Sequence, residues 1–184
     1  TKSAYGTYYI DALLDQEDSG FLSTQLPYTI QNPVKSWQST NTLGTGVTLS
    51  YSFFDAFDES RAGHLLTEFS EATKANTRDA LAHLSDVTNL SFAESFSSAS
   101  DINFGATLLS ASTVGVAYYG FYLIQDQGGK NFTWSELSDA EVFLTTSDDY
   151  DEDTTLGTDA YETLLHEIGH AVGLAHPFEG DVLP

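Results

Sequence analysis

Residues 164–177 read LLHEIGHAVGLAHP, and three histidines at this spacing leave few ways for a chain to arrange itself around them. His166 and His170 are four apart, one helical turn, so a helix sets both imidazoles on one side where they can reach one ion. Glu167 lies between them and can project toward the same side of that ion without ligating it. Gly173 stands where the helix should end. Glycine tolerates the left-handed backbone that lets a chain turn sharply after a helix, and such a turn can bring His176 back as a third ligand. Three neutral imidazoles at about 2.0–2.1 Å leave a fourth zinc position for water, the arrangement of a catalytic rather than a structural site. The ion lowers the pKa of that water, and a carboxylate beside it can take the proton. A histidine pair four apart on a helix is usually incidental. The full string His-Glu-x-x-His-x-x-Gly-x-x-His is much rarer by chance, and an amphipathic, capped helix is the context it needs. Asp159 is the expected N-cap, with Glu162 completing a capping box, so the helix should run over 160–172. Tyr161, Leu165, Ile168 and Val172 then share its apolar face, with the histidine pair roughly opposite.

Composition narrows the partners. The chain has 184 residues, the size of one domain, and 41% of them are hydrophobic, enough for a core. Acidic residues number 27 against 6 basic ones, for a net charge of −21. Nucleic acid and anionic membranes need Lys and Arg against their phosphates, so neither is an expected partner. Cations, calcium included, are attracted to such a surface. Cysteine is absent, which excludes disulfides and thiolate metal sites. No stretch approaches the run of about 18 apolar residues that a membrane helix requires. The first fourteen residues lack the basic-then-apolar pattern of a secretory signal.

The remaining pattern implies an α+β domain: a mixed, mostly sequential sheet against two long helices, the second carrying the histidines. A short amphipathic helix is expected over 8–14 and irregular chain over 15–45. Strands are expected over 46–54, 90–95, 101–106, 114–124 and 140–146. A long helix is expected over roughly 60–86, from the stripe of Leu65, Phe69, Ala72, Ala75, Ala80 and Leu84. Gly115 and Gly120 suggest that the strand at 114–124 is bulged or lies at an edge. The run Asp148, Asp149, Asp151, Glu152, Asp153 offers oxygen ligands to calcium. It lacks the glycine and spacing of an EF-hand loop, so a solvated loop is the favoured reading.

His166, Glu167, His170, Gly173 and His176 resemble the extended zinc motif of the metzincin metallopeptidases, and Pro177 directly after His176 resembles its serralysin branch. YIDALL at 9–14, VTLSYSF at 47–53, ALAHLSDVTNLSFAE at 80–94 and DINFGA at 101–106 look serralysin-like in content and order. The lack of cysteine fits that branch too. The resemblance implies a twisted mixed sheet and a secreted, extracellular zinc endopeptidase acting on protein or peptide substrates. His166, His170 and His176 would be its metal ligands and Glu167 its general base, then acid. Val116, Ala117, Tyr118 and Tyr119 match by order the edge strand that pairs with an extended substrate in metzincins. An ordinary aromatic sheet strand is the competing reading.

The departures carry expectations of their own. Metzincins continue past the third histidine to a turn containing Met, and serralysins into a calcium-binding β-roll. This chain has no Met and ends eight residues after His176. It is therefore expected to be the upper part, residues 1–184, of a metzincin-like protease domain, with the lower subdomain absent from it: the chain is cut short, is nicked near Pro184, or is completed by a second polypeptide segment, and nicking in an exposed loop just past the third histidine is the preferred reading. The rival reading is an inactive metal- or calcium-binding interaction module. The intact Glu167 favours the enzyme, since zinc binding alone would not require it.

Overall fold

The computed structural model describes residues 29–37, 46–55, 65–97, 99–110, 112–125, 131–174 and 176; the helix expected over 8–14 lies outside them. Six strands follow the chain: β1 (Thr29–Ser36), β2 (Val47–Phe53), β3 (Leu90–Glu94), β4 (Ile102–Thr107), β5 (Gly115–Gln125) and β6 (Asn131–Thr145). The helices are α1 (Glu71–Val87) and α2 (Asp159–Ala171), and a 3₁₀ segment, Ser147–Glu152, precedes α2. The chain is thus α+β, as expected. None of the described helices is long and apolar enough to cross a membrane.

Two compact units divide it, one of Thr1–Asn41, Gly120–Ser138 and Val172–Pro184, the other of Thr42–Tyr119 and Asp139–Ala171. In the second unit the order is β6-β4-β2-β3, and all three pairings are parallel. Parallel neighbours need a crossover, and α1 supplies one between β2 and β3. The order is less sequential than expected, because β2 separates β3 from β4. Val47, Leu49 and Tyr51 of β2 are all buried, the alternation of a strand with one face on the core, and β3 and β4 pair with its two sides. Registers Tyr51↔Ile102↔Ala140 and Phe53↔Phe104↔Val142 line up one apolar face. Lys74 and Arg78 of α1 lie over the Phe53 ring, 5.9 and 5.0 Å from its centroid, so α1 covers that face. Burying each large side chain here contributes about 1.5–3 kcal/mol.

The helix expected from residue 60 begins at Glu71. The Ser70 hydroxyl accepts from the Thr73 amide at 3.1 Å and caps it. Just upstream, Thr67 forms an antiparallel bridge with Ala106, which holds this stretch extended. The periodic spacing of Leu65 and Phe69 was therefore not helical, and Leu65 is 91% exposed. The buried stripe of α1 is Thr73, Lys74, Thr77, Ala80 and Leu81, while Ala72 and Ala75 face solvent.

Two further differences concern strands. β6 is fifteen residues long, not seven. Its first part, in the other unit, pairs in parallel with β1, which falls inside the stretch expected to be irregular. The polar β1 sequence TIQNPVKS carries no strand pattern of its own; its conformation comes from pairing. Pro33 is tolerated because β1 has one strand partner among the described residues, and the register shifts between Ile30 and Val34 around it.

Candidate active site

Helix α2 starts one residue earlier than its sequence suggests. Thr158, not Asp159, is the cap: its hydroxyl accepts from the Tyr161 amide at 3.2 Å. Glu162 consequently lies one position past the capping-box site. Gly157, at φ 94°, makes the turn that feeds the helix. The buried face of α2 is Ala160, Tyr161, Leu164, Glu167, Ile168 and Ala171. Leu165, expected on it, is 41% exposed; Leu164 takes its place.

Two hydrogen bonds tie α1 to the segment before α2. The Thr73 hydroxyl donates to the Asp151 carbonyl at 2.7 Å, and the Asn76 amide donates to Thr154 Oγ1 at 3.2 Å. The acidic run is only partly the solvated loop expected. Asp148, Asp149, Glu152 and Asp153 are exposed, but Asp151 is buried, and burial pushes its carboxyl above the usual range. These carboxylates do not gather into a metal-capable group among the described residues, where the histidines do.

His166 and His170 meet as the helical spacing requires. Their Nε2 atoms are 3.0 Å apart and their ring planes stand at 90°. Past the helix end Gly173 takes φ 100°, the left-handed turn expected of it. His166, His170 and His176 each offer a ring nitrogen, and the three nitrogens lie within 4.8 Å of one another. Zinc at about 2.0–2.1 Å from each of two tetrahedral ligands would hold them roughly 3.3 Å apart. The donor set fits the ion: imidazoles suit zinc, and two of the nitrogens already stand near the required separation.

Glu167 belongs to the buried side of α2. Its neighbours His166 and His170 are exposed and half-buried, yet Glu167 is only 7% exposed. The start of β5 lies against it: a Cβ added to Gly115 would stand 2.9 Å from Glu167 Cγ. The Thr145 amide donates to the Val114 carbonyl at 2.9 Å and holds this end of β5 beside the end of β6. Of the four candidate substrate-strand residues, Val116, Ala117 and Tyr119 are half-buried and Tyr118 is 40% exposed, its ring 6.3 Å from that of Phe143. Sequence reasoning missed the hydrogen bond between Tyr150 and Thr163, 2.8 Å between hydroxyls, which braces α2 one turn before Glu167. Nothing in the spacing of those two residues signals it.

Residues 48–183 match the family model described as matrixin, of the M10 peptidases. The metalloprotease AprA of Pseudomonas entomophila is 32% identical over 77% of this chain and 28% of its own length. Serralysin B and serralysin C of Dickeya chrysanthemi are 25% and 28% identical, over 82% and 97% of this chain and 30% and 38% of their own lengths. The chain therefore spans well under half of the relatives it matches. With a family model covering most of its length, the chain belongs to the matrixin family of metzincin peptidases and is serralysin-like in sequence.

Proposed function

We propose that this chain carries the catalytic centre of a secreted endopeptidase that hydrolyses peptide bonds of proteins. The observation that carries the reading is the meeting of three imidazole nitrogens within 4.8 Å, with Glu167 next to the first of them. His166, His170 and His176 would hold zinc. When bound, zinc supplies Lewis-acid polarisation of the scissile carbonyl and makes water a better acid. Glu167 takes the proton of the attacking water on its carboxylate and later delivers it to the leaving amine. Its burial limits the bulk water that could compete for the proton. Val116, Ala117, Tyr118 and Tyr119 would bind an extended substrate by strand addition, main chain to main chain. That role is supported by the single strand partner of β5 among the described residues.

The location outside the cell rests on the likeness to serralysins, and residues 1–184 are read as the upper part of the protease domain. Calcium has less support, since the 148–153 carboxylates stay apart. The test is cleavage of casein by the purified protein before and after chelation. Activity should vanish with the metal and return on adding zinc. Cleavage that survives complete zinc removal overturns the proposal.

A further inference from the structure

We propose that Gly115 is a positioning residue for Glu167, and that the Tyr150–Thr163 hydrogen bond fixes the surface it rests on. The inference depends on Glu167 being the base. A Cβ built on Gly115 would lie 2.4 Å from Thr163 Cγ2, 2.9 Å from Glu167 Cγ and 3.1 Å from Glu167 Oε1. Carbon atoms in contact settle at about 3.5–4.0 Å. No side chain fits there, and only a bare Cα lets β5 lie directly on α2 at residues 163 and 167.

Space is the reason for this glycine, not backbone freedom. The described glycines with positive φ are Gly157 and Gly173, and Gly115 is not among them. Glycine weakens a strand, so its use at the first residue of β5 needs such a reason. Thr163 cannot give way cheaply. The Thr163 hydroxyl is held at 2.8 Å by Tyr150, so turning its methyl away from Gly115 breaks that bond. On the strand side, the Val114 carbonyl is tied to the Thr145 amide. Glu167 is left with its stem against Gly115 and its carboxylate directed by that contact. The same contact sets the distance between the base and Val116–Tyr119, the proposed substrate strand. Base and substrate are thereby indexed to one point, and a misplacement of about 1 Å in such an arrangement can lower turnover on the order of 10²-fold.

The experiment compares Gly115→Ala with the double variant Gly115→Ala/Thr163→Ser. Serine keeps the hydroxyl for Tyr150 and removes the methyl that stands at 2.4 Å. In zinc-loaded protein, Gly115→Ala should lower kcat by roughly 10–100-fold, with KM and zinc content near wild type. The double variant should recover much of that loss. A second readout needs no activity: in zinc-free protein, Gly115→Ala should lower the unfolding midpoint by roughly 2–8 °C, and Thr163→Ser in that background should restore part of it. Wild-type kcat in fully loaded Gly115→Ala overturns the proposal, as does a rise confined to KM. Should the single variant not fold, the double decides: folded with substantial kcat supports the proposal, and folding no better overturns it. Turnover by Glu167→Gln would instead overturn the assignment of the base, and it would leave the 115–163 coupling in the unfolding data intact.

Discussion

The Thr73 hydroxyl, on the first helix, donates to the main-chain carbonyl of Asp151 at 2.7 Å, and the Thr73 side chain is fully buried. This bond joins α1 to the segment that leads into α2, across 78 residues of sequence. Thr73→Val keeps the shape and leaves a buried carbonyl without its donor. The variant should lose about 1–3 kcal/mol of stability, measured by denaturant unfolding. A loss within about 0.5 kcal/mol would mean that the bond does not hold the two helices.

Glu167→Gln tests the chemistry more directly. The amide preserves shape and removes the proton acceptor, while His166, His170 and His176 are untouched. Zinc content should stay near one per chain and kcat should fall by about 10²–10⁴-fold or more. Near-normal cleavage by a zinc-replete variant would remove Glu167 from the mechanism.

What the sequence showed and what it hid divide along physical lines. The histidine spacing and the turn at Gly173 were legible because each is local: a helical period, and a backbone angle that glycine favours. The cap was misplaced by one residue because Thr158 and Asp159 are both good capping types, and only geometry chooses Thr158. The start of α1 was misread because Leu65 and Phe69 fit a helical period by coincidence, while the Thr67–Ala106 bridge keeps the chain extended. Strand β1 and the burial of Asp151 were hidden for another reason. Both are imposed by distant partners, β6 and Thr73, which local pattern does not contain. Gly115 is legible as a strand glycine, but its reason, the closeness of α2, is equally non-local.

Acid sensitivity has a source in the Arg78–Glu94 pair. Arg78 Nε and Nη2 each donate to Glu94 at 2.7 Å, a two-point contact, and Tyr51 adds a third donor at 3.2 Å. The Arg78 hydrogen bond is the main force holding the Glu94 carboxyl below its ordinary 4.5. A carboxylate with a depressed folded-state pKa stabilises above its unfolded value, and that contribution is lost as pH falls through the lower, folded value. Both side chains are partly exposed, at 38% and 29%, so solvent screening limits the pair to about 0.2–1 kcal/mol. Glu94→Gln should therefore be less stable than wild type by that amount at pH 7. The gap should narrow as pH falls below the ordinary 4.5 and shrink in high salt. A gap that persists unchanged at pH of about 2 would show that Glu94 acts through packing, not charge.

Gly173→Ala probes how the third histidine is delivered. At φ 100° the backbone of Gly173 is in the region that an L side chain enters only with strain, on the order of 1–2 kcal/mol. Gly173 is also buried. The chain can relieve the strain by flattening the turn, and the residue that moves with it is His176, three positions on. His166 and His170 sit within α2 and should keep their spacing. The expected outcome is a protein that folds with α2 intact but binds zinc more weakly, by about 10-fold or more in competition with a chromogenic chelator. Replacing His176 by Ala should weaken binding at least as far, because it deletes the ligand that Gly173→Ala only displaces. If Gly173→Ala binds zinc like wild type while His176→Ala does not, the turn tolerates alanine and the left-handed angle is not what presents His176. If neither change weakens zinc binding, His176 is not a ligand, and the metal is held by His166 and His170 with some other group.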